Sequence, residues 1–461
     1  MSVISAFILP HPPIAIPEIG LGQQARIQTT IDSFRKVAKQ IAEIKPDTIV
    51  LTSPHSILYS DYFHISPGKD AIGDFSQFTS DQLQINAVYD KEFVTELESH
   101  CGLLDFPAGT LGEKTAELDH GTMVPLKFIN ECYTDYKLVR IGLSGLPVTD
   151  HYRFGQHICS IADKLGRNVV FIASGDLSHK LSEDGPYGFT QEGVDFDSEV
   201  TTAMDQGDFL RFLTFDSEFT DKAAECGLRS FIIMAGALDR KKVNSKLLSY
   251  EGPFGVGYGI ASFLPCGEDN NRNFLEVYTE MEHNRLKQIK ENEDDYVRLA
   301  RYSLETYVRT GKRANLPLDL PEEMLSQKAG VFVSLKKDGD LRGCIGTITP
   351  VRDNMGEEIL MNAISAAVED PRFAPVKQEE FDQIIYSVDV LSPPESISSS
   401  ELLDVKRYGV IVTNGSRRGL LLPNLEGIDS TEQQIQIALK KAGIEDNEAY
   451  NLERFEVVRH K

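Results

Sequence analysis

Apolar and polar positions in the first half of the chain alternate between two spacings. Short apolar runs at residues 2–9 and 48–53 are typical of buried strands, while residues 23–44 carry apolar side chains three and four positions apart, as in an amphipathic helix. The order strand, helix, strand predicts a βαβ unit. It indicates an α/β fold class, with a three-layer α/β N-terminal domain built on a central, mostly parallel sheet.

The same pattern continues further along the chain. Apolar runs at residues 138–143 and 168–174 predict two more strands, separated by a helical segment near residues 150–165. Residues 191–240 are predicted to be mainly helical, and the glycine-rich stretch 252–260 to be the final strand of this domain.

The second half predicts a smaller α+β C-terminal domain. A helix is expected near residues 294–310, and the step Asp338-Gly339 between two alternating runs predicts a tight hairpin. Further helices are expected near 354–369 and 430–442, and further strands at 384–391, 408–413 and 419–423. Because the intervening sequence is polar and charged, we expect domains at 1–267 and 294–461, joined by a linker at 268–293.

Charge and cysteine usage narrow the classes of function. The 461 residues include 47 basic and 70 acidic ones, a net charge of −23, which disfavours nucleic acid and anionic membrane surfaces as partners. No run approaches the roughly 20 apolar residues of a membrane span, and no signal peptide is recognisable, so we expect a cytoplasmic protein. The six cysteines are widely spaced without a Cys-x-x-Cys pair, which argues against a disulfide framework and a zinc knuckle.

Four histidines lie where short motifs interrupt apolar runs. His11 and His55 directly follow the carboxyl ends of the first two predicted strands, the edge at which open α/β sheets bind ligands. His120 and His179 lie in glycine-containing loops of the same domain. A single histidine after a strand is more often a hydrogen-bonded scaffold residue than a ligand, but four in such places favour a metal site.

A non-haem iron(II) site commonly uses two imidazoles and one carboxylate. We expect His11 and His55 to supply the imidazoles. Glu225 is the best candidate for the carboxylate, because it stands beside a Cys-Gly step at the start of an apolar helical segment. The alternative for Glu225 is a favourable charge at the start of a helix.

His179 and His120 are the candidate catalytic acid and base, because an imidazole near neutral pKa can take a proton from a phenolic hydroxyl and return it. Asp176, three residues before His179, either orients that ring or caps the local turn. The segment around His120 is also compatible with a simple helix cap.

These motifs resemble a known family. The segments are Leu9–Pro13, Ser53–His55, Leu118–Leu126 and Ser174–His179. They are similar to the catalytic subunit of class III extradiol ring-cleavage dioxygenases, with the Memo proteins as close relatives, over about residues 1–265.

The resemblance implies Fe²⁺ held by His11, His55 and Glu225, with His179 as base, His120 in contact with substrate, and a small catechol-like aromatic substrate. Memo-like members carry a cysteine in a Cys-Gly step that matches Cys226, an alternative third ligand. Thiolate coordination would favour copper or a redox role, with Zn²⁺ as a further alternative to iron.

The second half resembles the AMME-syndrome candidate-region family over about residues 285–461. The resemblance rests on the heptad Leu341–Thr347, supported by Glu369–Val376 and Gly419–Pro423. Prokaryotic members occur beside Memo-like and radical-SAM proteins, which implies a radical-SAM protein as partner. Arg342 and Cys344 form a candidate ligand site, in which the arginine lowers the thiol pKa or holds an anion. The alternative is a closely packed strand with Cys344 in the core and Arg342 paired to a carboxylate.

Three hypotheses follow from the sequence. The first is an iron(II) enzyme that opens a catechol-like ring, and the second is a metal-binding redox or accessory protein of a radical-SAM enzyme. The third is a scaffold in which the histidines are satisfied core residues. The sequence leaves a homo-oligomer open.

Overall fold

The computed structural model describes residues 3–79, 83–114, 117–425 and 427–461, and the chain divides into two compact units, 1–281 and 282–461. The division falls within a helix, Phe274–Glu291, that occupies much of the segment expected to be a linker. Among the described helices none is both long and apolar enough to cross a membrane.

The first unit is built on a mixed sheet. Its strands are β1 (Val3–Leu9), β2 (Thr48–Ser53), β3 (Phe63–His64), β4 (Asp70–Asp74), β5 (Gln84–Val88), β6 (Ala108–Gly109), β7 (Lys137–Gly142), β8 (Val169–Ser174), β9 (Lys241–Glu251) and β10 (Tyr258–Glu268). Six of these strands form one sheet in the order β7-β2-β8-β1-β10-β9. The first four of that order are parallel, and β10 and β9 complete the sheet as an antiparallel pair.

Helices cover both faces of this sheet. The helices of the first unit are α1 (Pro17–Gly20), α2 (Gln28–Ile44), α3 (Lys91–Leu103), α4 (His120–Ile129), α5 (Val148–Leu165), α6 (Gln191–Gln206), α7 (Phe209–Thr214), α8 (Ser217–Ala223) and α9 (Leu228–Ala237). The helix α10 (Phe274–Glu291) contains the division between the two units. Successive side chains of a strand point to opposite faces. Ala6 and Ile8 of β1 therefore join one core with α3, α5 and α9, while Phe7 and Leu9 join a second core with α2 and α4. The predicted three-layer arrangement is confirmed.

The structure corrects the end of this domain. The glycine-rich stretch predicted as the final strand is a loop up to residue 257, and β10 begins only at Tyr258. The strand β9, which pairs with β10 in a hairpin, was not predicted. In its first half, Lys241–Lys246, every second side chain is exposed, and Val243 is the one large apolar residue.

The second unit is α+β, as predicted. Its helices are α11 (Asp295–Thr310), α12 (Glu322–Ser326), α13 (Met355–Val368) and α14 (Thr431–Ala442). Its strands are β11 (Gly330–Lys337), β12 (Asp340–Thr347), β13 (Ile384–Leu391), β14 (Glu395–Ile397), β15 (Gly409–Asn414), β16 (Arg417–Leu421), β17 (Asn451–Phe455) and β18 (Val457–His460). They form antiparallel sheets in the orders β12-β11-β13-β18 and β14-β17-β15-β16. The predicted hairpin joins β11 to β12, with Asp338 and Gly339 both at positive φ.

Candidate metal centre

Three neighbouring strands bring the candidate residues to one edge of the sheet. The strand β8 lies between β1 and β2 and runs parallel to both, and Leu9 at the end of β1 pairs with Ser174 at the end of β8. The residues that follow these strand ends, His11, His55 and Asp176, therefore lie close to one another.

The side chains of His11, His55 and Cys226 form a compact donor group. Their ligand atoms all lie within 4.8 Å of one another. The His11 and His55 Nε2 atoms are 3.0 Å apart, and the Cys226 Sγ atom is 3.7 Å from the His11 Nε2 atom. Ligand atoms about 2.0–2.3 Å from one metal ion lie roughly 3–4 Å from each other, so the separations of 3.0 and 3.7 Å from the His11 Nε2 atom are those expected around a shared cation. His11 is buried, Cys226 is half-buried and His55 is exposed, which leaves one side of the group open.

A hydrogen-bond chain fixes the tautomer of His11. The Ser174 hydroxyl donates its proton to the Gly121 carbonyl at 2.6 Å, and its oxygen lies 3.0 Å from the His11 Nδ1 atom. Because the hydroxyl has only one proton, it must accept from His11, whose Nδ1 atom therefore carries the hydrogen. The Nε2 lone pair of His11 is then directed at the donor group, as in metal-binding histidines.

Two glycines at a backbone crossing place Cys226 in this group. A Cβ atom on Gly175, directly after β8, would lie only 2.1 Å from the Cα atom of Gly227. This close approach sets Cys226 against Asp176, whose backbone N–H donates to the Cys226 Sγ atom at 3.3 Å. The thiol therefore reaches the histidines from a segment that is distant in the sequence.

Glu225, the preferred third ligand in the sequence analysis, does not join the donor group found among the described residues. Its carboxylate instead accepts the backbone N–H of Leu228, the first residue of α9, at 2.6 Å. Burial raises the pKa of Glu225 to about 7. The structure thus places the alternative residue, Cys226, beside the two imidazoles, because adjacent residues at this turn point in different directions.

The Asp176 carboxylate contacts His11, whereas the sequence offered the ring of His179 or a cap of the local turn as its partner. One carboxylate oxygen accepts the His11 backbone N–H at 2.8 Å, and the other lies 3.9 Å from the His11 Nε2 atom. Burial raises the pKa of Asp176 to about 7.

His120 and His179 lie beside the donor group. The His120 ring lies 3.9 Å, centroid to centroid, from the His55 ring, and the Phe78 and His120 rings meet edge-on at 5.6 Å. His179 is close enough for its charge to lower the pKa of His11, and its ring meets Tyr187 edge-on at 5.3 Å. The four histidines singled out in the sequence are therefore gathered in one place.

The cluster favours uncharged imidazoles. Burial, followed by the neighbouring histidines, lowers the pKa of His11 well below its usual value, and burial together with His55 lowers the pKa of His120 to about 4. Burial also lowers the pKa values of His55 and His179. Neutral imidazoles keep the lone pairs that a metal or a substrate proton requires.

Residues 5–261, more than half of the chain, match the family described as the catalytic LigB subunit of aromatic ring-opening dioxygenase. The chain belongs to this family. LigB dioxygenases are metal-dependent, and the donor group lies within the matched LigB region. The AMMECR1 family matches residues 297–460, so the chain is a fusion of a LigB unit and an AMMECR1 unit.

Relatives share one or both parts. The protein CA_C1420 of Clostridium acetobutylicum is 42% identical over the full length of both chains, which shows that the fusion of LigB and AMMECR1 units is not confined to this sequence. A protein of Thermotoga maritima is 50% identical over 37% of this chain and 98% of its own.

Two solved structures are also similar to parts of the chain. Uncharacterized protein PH0010 of Pyrococcus horikoshii is 38% identical over 36% of this chain and 88% of its own, with a TM-score of 0.34. Uncharacterized protein JW3007 of Escherichia coli is 16% identical over 56% of this chain and 99% of its own, with a TM-score of 0.37.

In the AMMECR1 unit, Arg342 and Cys344, the two residues of the second candidate site, have different partners. Arg342 binds the carboxylate of Glu380 through two hydrogen bonds of 2.9 and 3.0 Å. Burial raises the pKa of the Cys344 thiol, and the guanidinium that partly opposes this shift belongs to Arg372. Arg342 is thus paired with a carboxylate, as the alternative of a closely packed strand predicts. Arg342 is not among the groups that lower the pKa of the Cys344 thiol, contrary to the first interpretation.

Sequence reasoning missed two serines that support the LigB site and one contact of Asp119. Ser53 and Ser174 end β2 and β8. Asp119 is the N-cap of α4, which agrees with the helix-cap interpretation of the segment around His120, but its bond to the Ser53 hydroxyl was not expected. Each stands within two residues of a predicted site residue, and serine and aspartate at such positions commonly bond to backbone groups. This signal was present, but it does not say which group each side chain meets.

Proposed function

We propose that the LigB unit is a metal-dependent oxidoreductase of the extradiol dioxygenase type, acting on a small catechol-like aromatic substrate. The convergence of His11, His55 and Cys226 within 4.8 Å is the observation that carries this proposal. Iron(II) is the proposed metal, with zinc or copper as alternatives.

The residues present fit a metal ion. The donors are two imidazoles and a thiol, and the Ser174 hydrogen bond leaves the His11 Nε2 lone pair free. The exposed side of the group, at His55, leaves room for a substrate, as in catalytic rather than structural metal sites. A bound iron(II) ion would supply Lewis-acid and redox chemistry at this place.

The neighbouring residues would handle protons and orient the ring. His120 and His179 are neutral at physiological pH because burial lowers their pKa values, so each has a nitrogen able to accept a phenolic proton. Phe78 and Tyr187, which approach these histidines edge-on, offer aromatic surface to a planar substrate.

Metal analysis and a catechol assay test this proposal. The full-length protein, loaded anaerobically with iron(II), should retain about one ion per chain and form a yellow ring-opened product from a catechol panel after oxygen is admitted. His11→Ala and Cys226→Ala should lose the ion, whereas Cys266→Ala, at an exposed cysteine, should keep it. Retention of iron by Cys226→Ala would refute this ligand set, and bound iron without turnover on any catechol would refute the proposed reaction.

A second function is favoured by the thiol. Iron oxygenases with two histidines use a carboxylate as the third ligand, whereas soft thiolates suit copper, zinc or a redox role. On this alternative the protein is a metal-binding accessory of a radical-SAM enzyme. It predicts that the purified protein prefers copper or zinc to iron, and that a tagged full-length chain captures a radical-SAM protein from its native host. Iron selectivity with catechol turnover would exclude it.

A further inference from the structure

We infer that the first turn of α4, residues 119–122, is a positioning device that sets the geometry of His11, His55 and His120 together. The groups that link this turn to the histidines, Asp119, Gly121, Ser53 and Ser174, are not themselves members of the donor group. The inference rests on the proposed function, since the geometry that it sets is that of the proposed metal centre.

The link to His55 runs through Asp119 and Ser53. The Asp119 carboxylate accepts the Thr122 backbone N–H at 3.0 Å and so caps α4. The same oxygen accepts the Ser53 hydroxyl at 2.5 Å, and the Ser53 oxygen accepts the His55 backbone N–H at 3.2 Å. The backbone of His55 is thereby tied to the start of α4, where His120 is the first residue.

The link to His11 runs through Gly121. Its carbonyl receives the Ser174 proton, which obliges the Ser174 oxygen to accept from His11 Nδ1. A Cβ atom on Gly121 would lie 2.4 Å from the Ser53 Oγ atom and would displace that hydroxyl, so glycine at this position leaves the Ser53 bonds intact. The turn therefore touches both serines, one for each metal-binding imidazole.

A buried arginine contacts the residues at the start of this turn. Arg140, on β7, is 1% exposed and donates to the Ser66 hydroxyl at 2.7 Å and to the Glu117 carbonyl at 2.6 Å. Its guanidinium lies 3.8 Å from the Asp119 carboxylate. A buried charge needs a partner, so Arg140 and Asp119 fix each other's place. Asp119, Ser53 and Ser174 are thus positioning residues that act through the histidines.

Two serine variants of the full-length protein test this inference without removing a donor. Ser174→Ala removes the acceptor of His11 Nδ1–H, and Ser53→Ala removes the tie to His55. The matched control is Ser33→Ala, at a serine of α2 that is also buried but bonds to the Leu248 carbonyl. Cobalt(II) alone is the probe, and its absorption spectrum reports both affinity and thiolate coordination.

We expect each of the two variants to bind cobalt(II) about 10–100-fold more weakly than the wild type, the usual effect of removing a group that orients a metal ligand. Ser33→Ala should bind as the wild type does. In metal-free protein labelled with ¹⁵N-histidine, NMR should show His11 protonated at Nδ1 in the wild type and a mixture of tautomers in Ser174→Ala.

Wild-type affinity in both serine variants, or an unchanged His11 tautomer in Ser174→Ala, would overturn the inference. A wild-type protein that binds no metal would instead overturn the proposed function. The tautomer measurement needs no metal, so it decides the inference in that case too.

Discussion

Replacing Gly175 by alanine should detach the thiol from the donor group without removing any donor. The new Cβ atom would lie 2.1 Å from the Gly227 Cα atom, whereas non-bonded carbon atoms pack at about 3.5 Å or more. The two backbones must therefore separate by about 1.4 Å, while metal–ligand bonds tolerate deviations of about 0.2 Å. Cys226 directly precedes Gly227, so its sulfur should leave the group.

The expected magnitude has two parts. Forcing extra volume into a packed contact costs about 1–3 kcal/mol of unfolding free energy. Loss of the sulfur should weaken cobalt(II) binding by at least about tenfold and remove the thiolate-to-metal absorption band.

Cobalt(II) titration of the full-length protein, followed by absorption and paired with thermal unfolding, measures both. The matched control is Gly102→Ala in α3, where a Cβ atom would meet nothing within 4 Å. This control should bind cobalt(II) as the wild type does and gain up to about 1 kcal/mol from the better helix propensity of alanine. If Gly175→Ala binds cobalt(II) with wild-type affinity and spectrum, the glycine crossing does not position the thiol and the reasoning fails.

Two further predictions concern stability. Burial raises the pKa of Asp197 to about 7, so the folded state binds this proton more tightly than the unfolded chain, and stability falls as the pH rises from about 4 to about 7. Thermal unfolding at pH 5 and pH 8 should show a smaller pH-dependent loss in Asp197→Asn than in the wild type, and equal losses would contradict this. In the AMMECR1 unit, Glu293→Gln removes the carboxylate closest to the buried Arg301. We expect the free energy of unfolding to fall by about 3 kcal/mol. This is the lower end of the range for a broken buried ion pair, because Glu305 remains 3.5 Å from Arg301. Urea unfolding measures the cost, and Glu395→Gln, from an exposed pair with Arg454, should cost at most about 1 kcal/mol; similar costs for the two variants would count against the explanation.

The strands that could be predicted from the sequence are those buried on both faces of the sheet. The strands β2 and β8 are continuous apolar runs because the sheet is covered on both faces, and their predicted bounds agree with the structure to within a residue. The first half of the edge strand β9 exposes alternate polar side chains and carries one large apolar residue, so its pattern resembles that of a loop. The loop before β10 was mistaken for strand because its apolar residues lie between glycines.

The candidate site could be predicted in part for a similar reason. His11 and His55 follow buried parallel strands, so their meeting at one sheet edge follows from the topology. The choice between Glu225 and Cys226 could not be made, because it depends on the contact between Gly175 and Gly227 across about 50 residues of chain. Local sequence carries no information about such a crossing.

The donors of the proposed metal centre come from positions 11, 55 and 226, so an ion held by all three would join segments up to 215 residues apart. Such an ion acts as a removable cross-link. It is absent from the unfolded chain, and at a hundredfold excess over its dissociation constant it adds about 2.7 kcal/mol to the stability of the folded state. Chelation should therefore lower the melting temperature of the first unit, and metal supply would control how much folded protein persists.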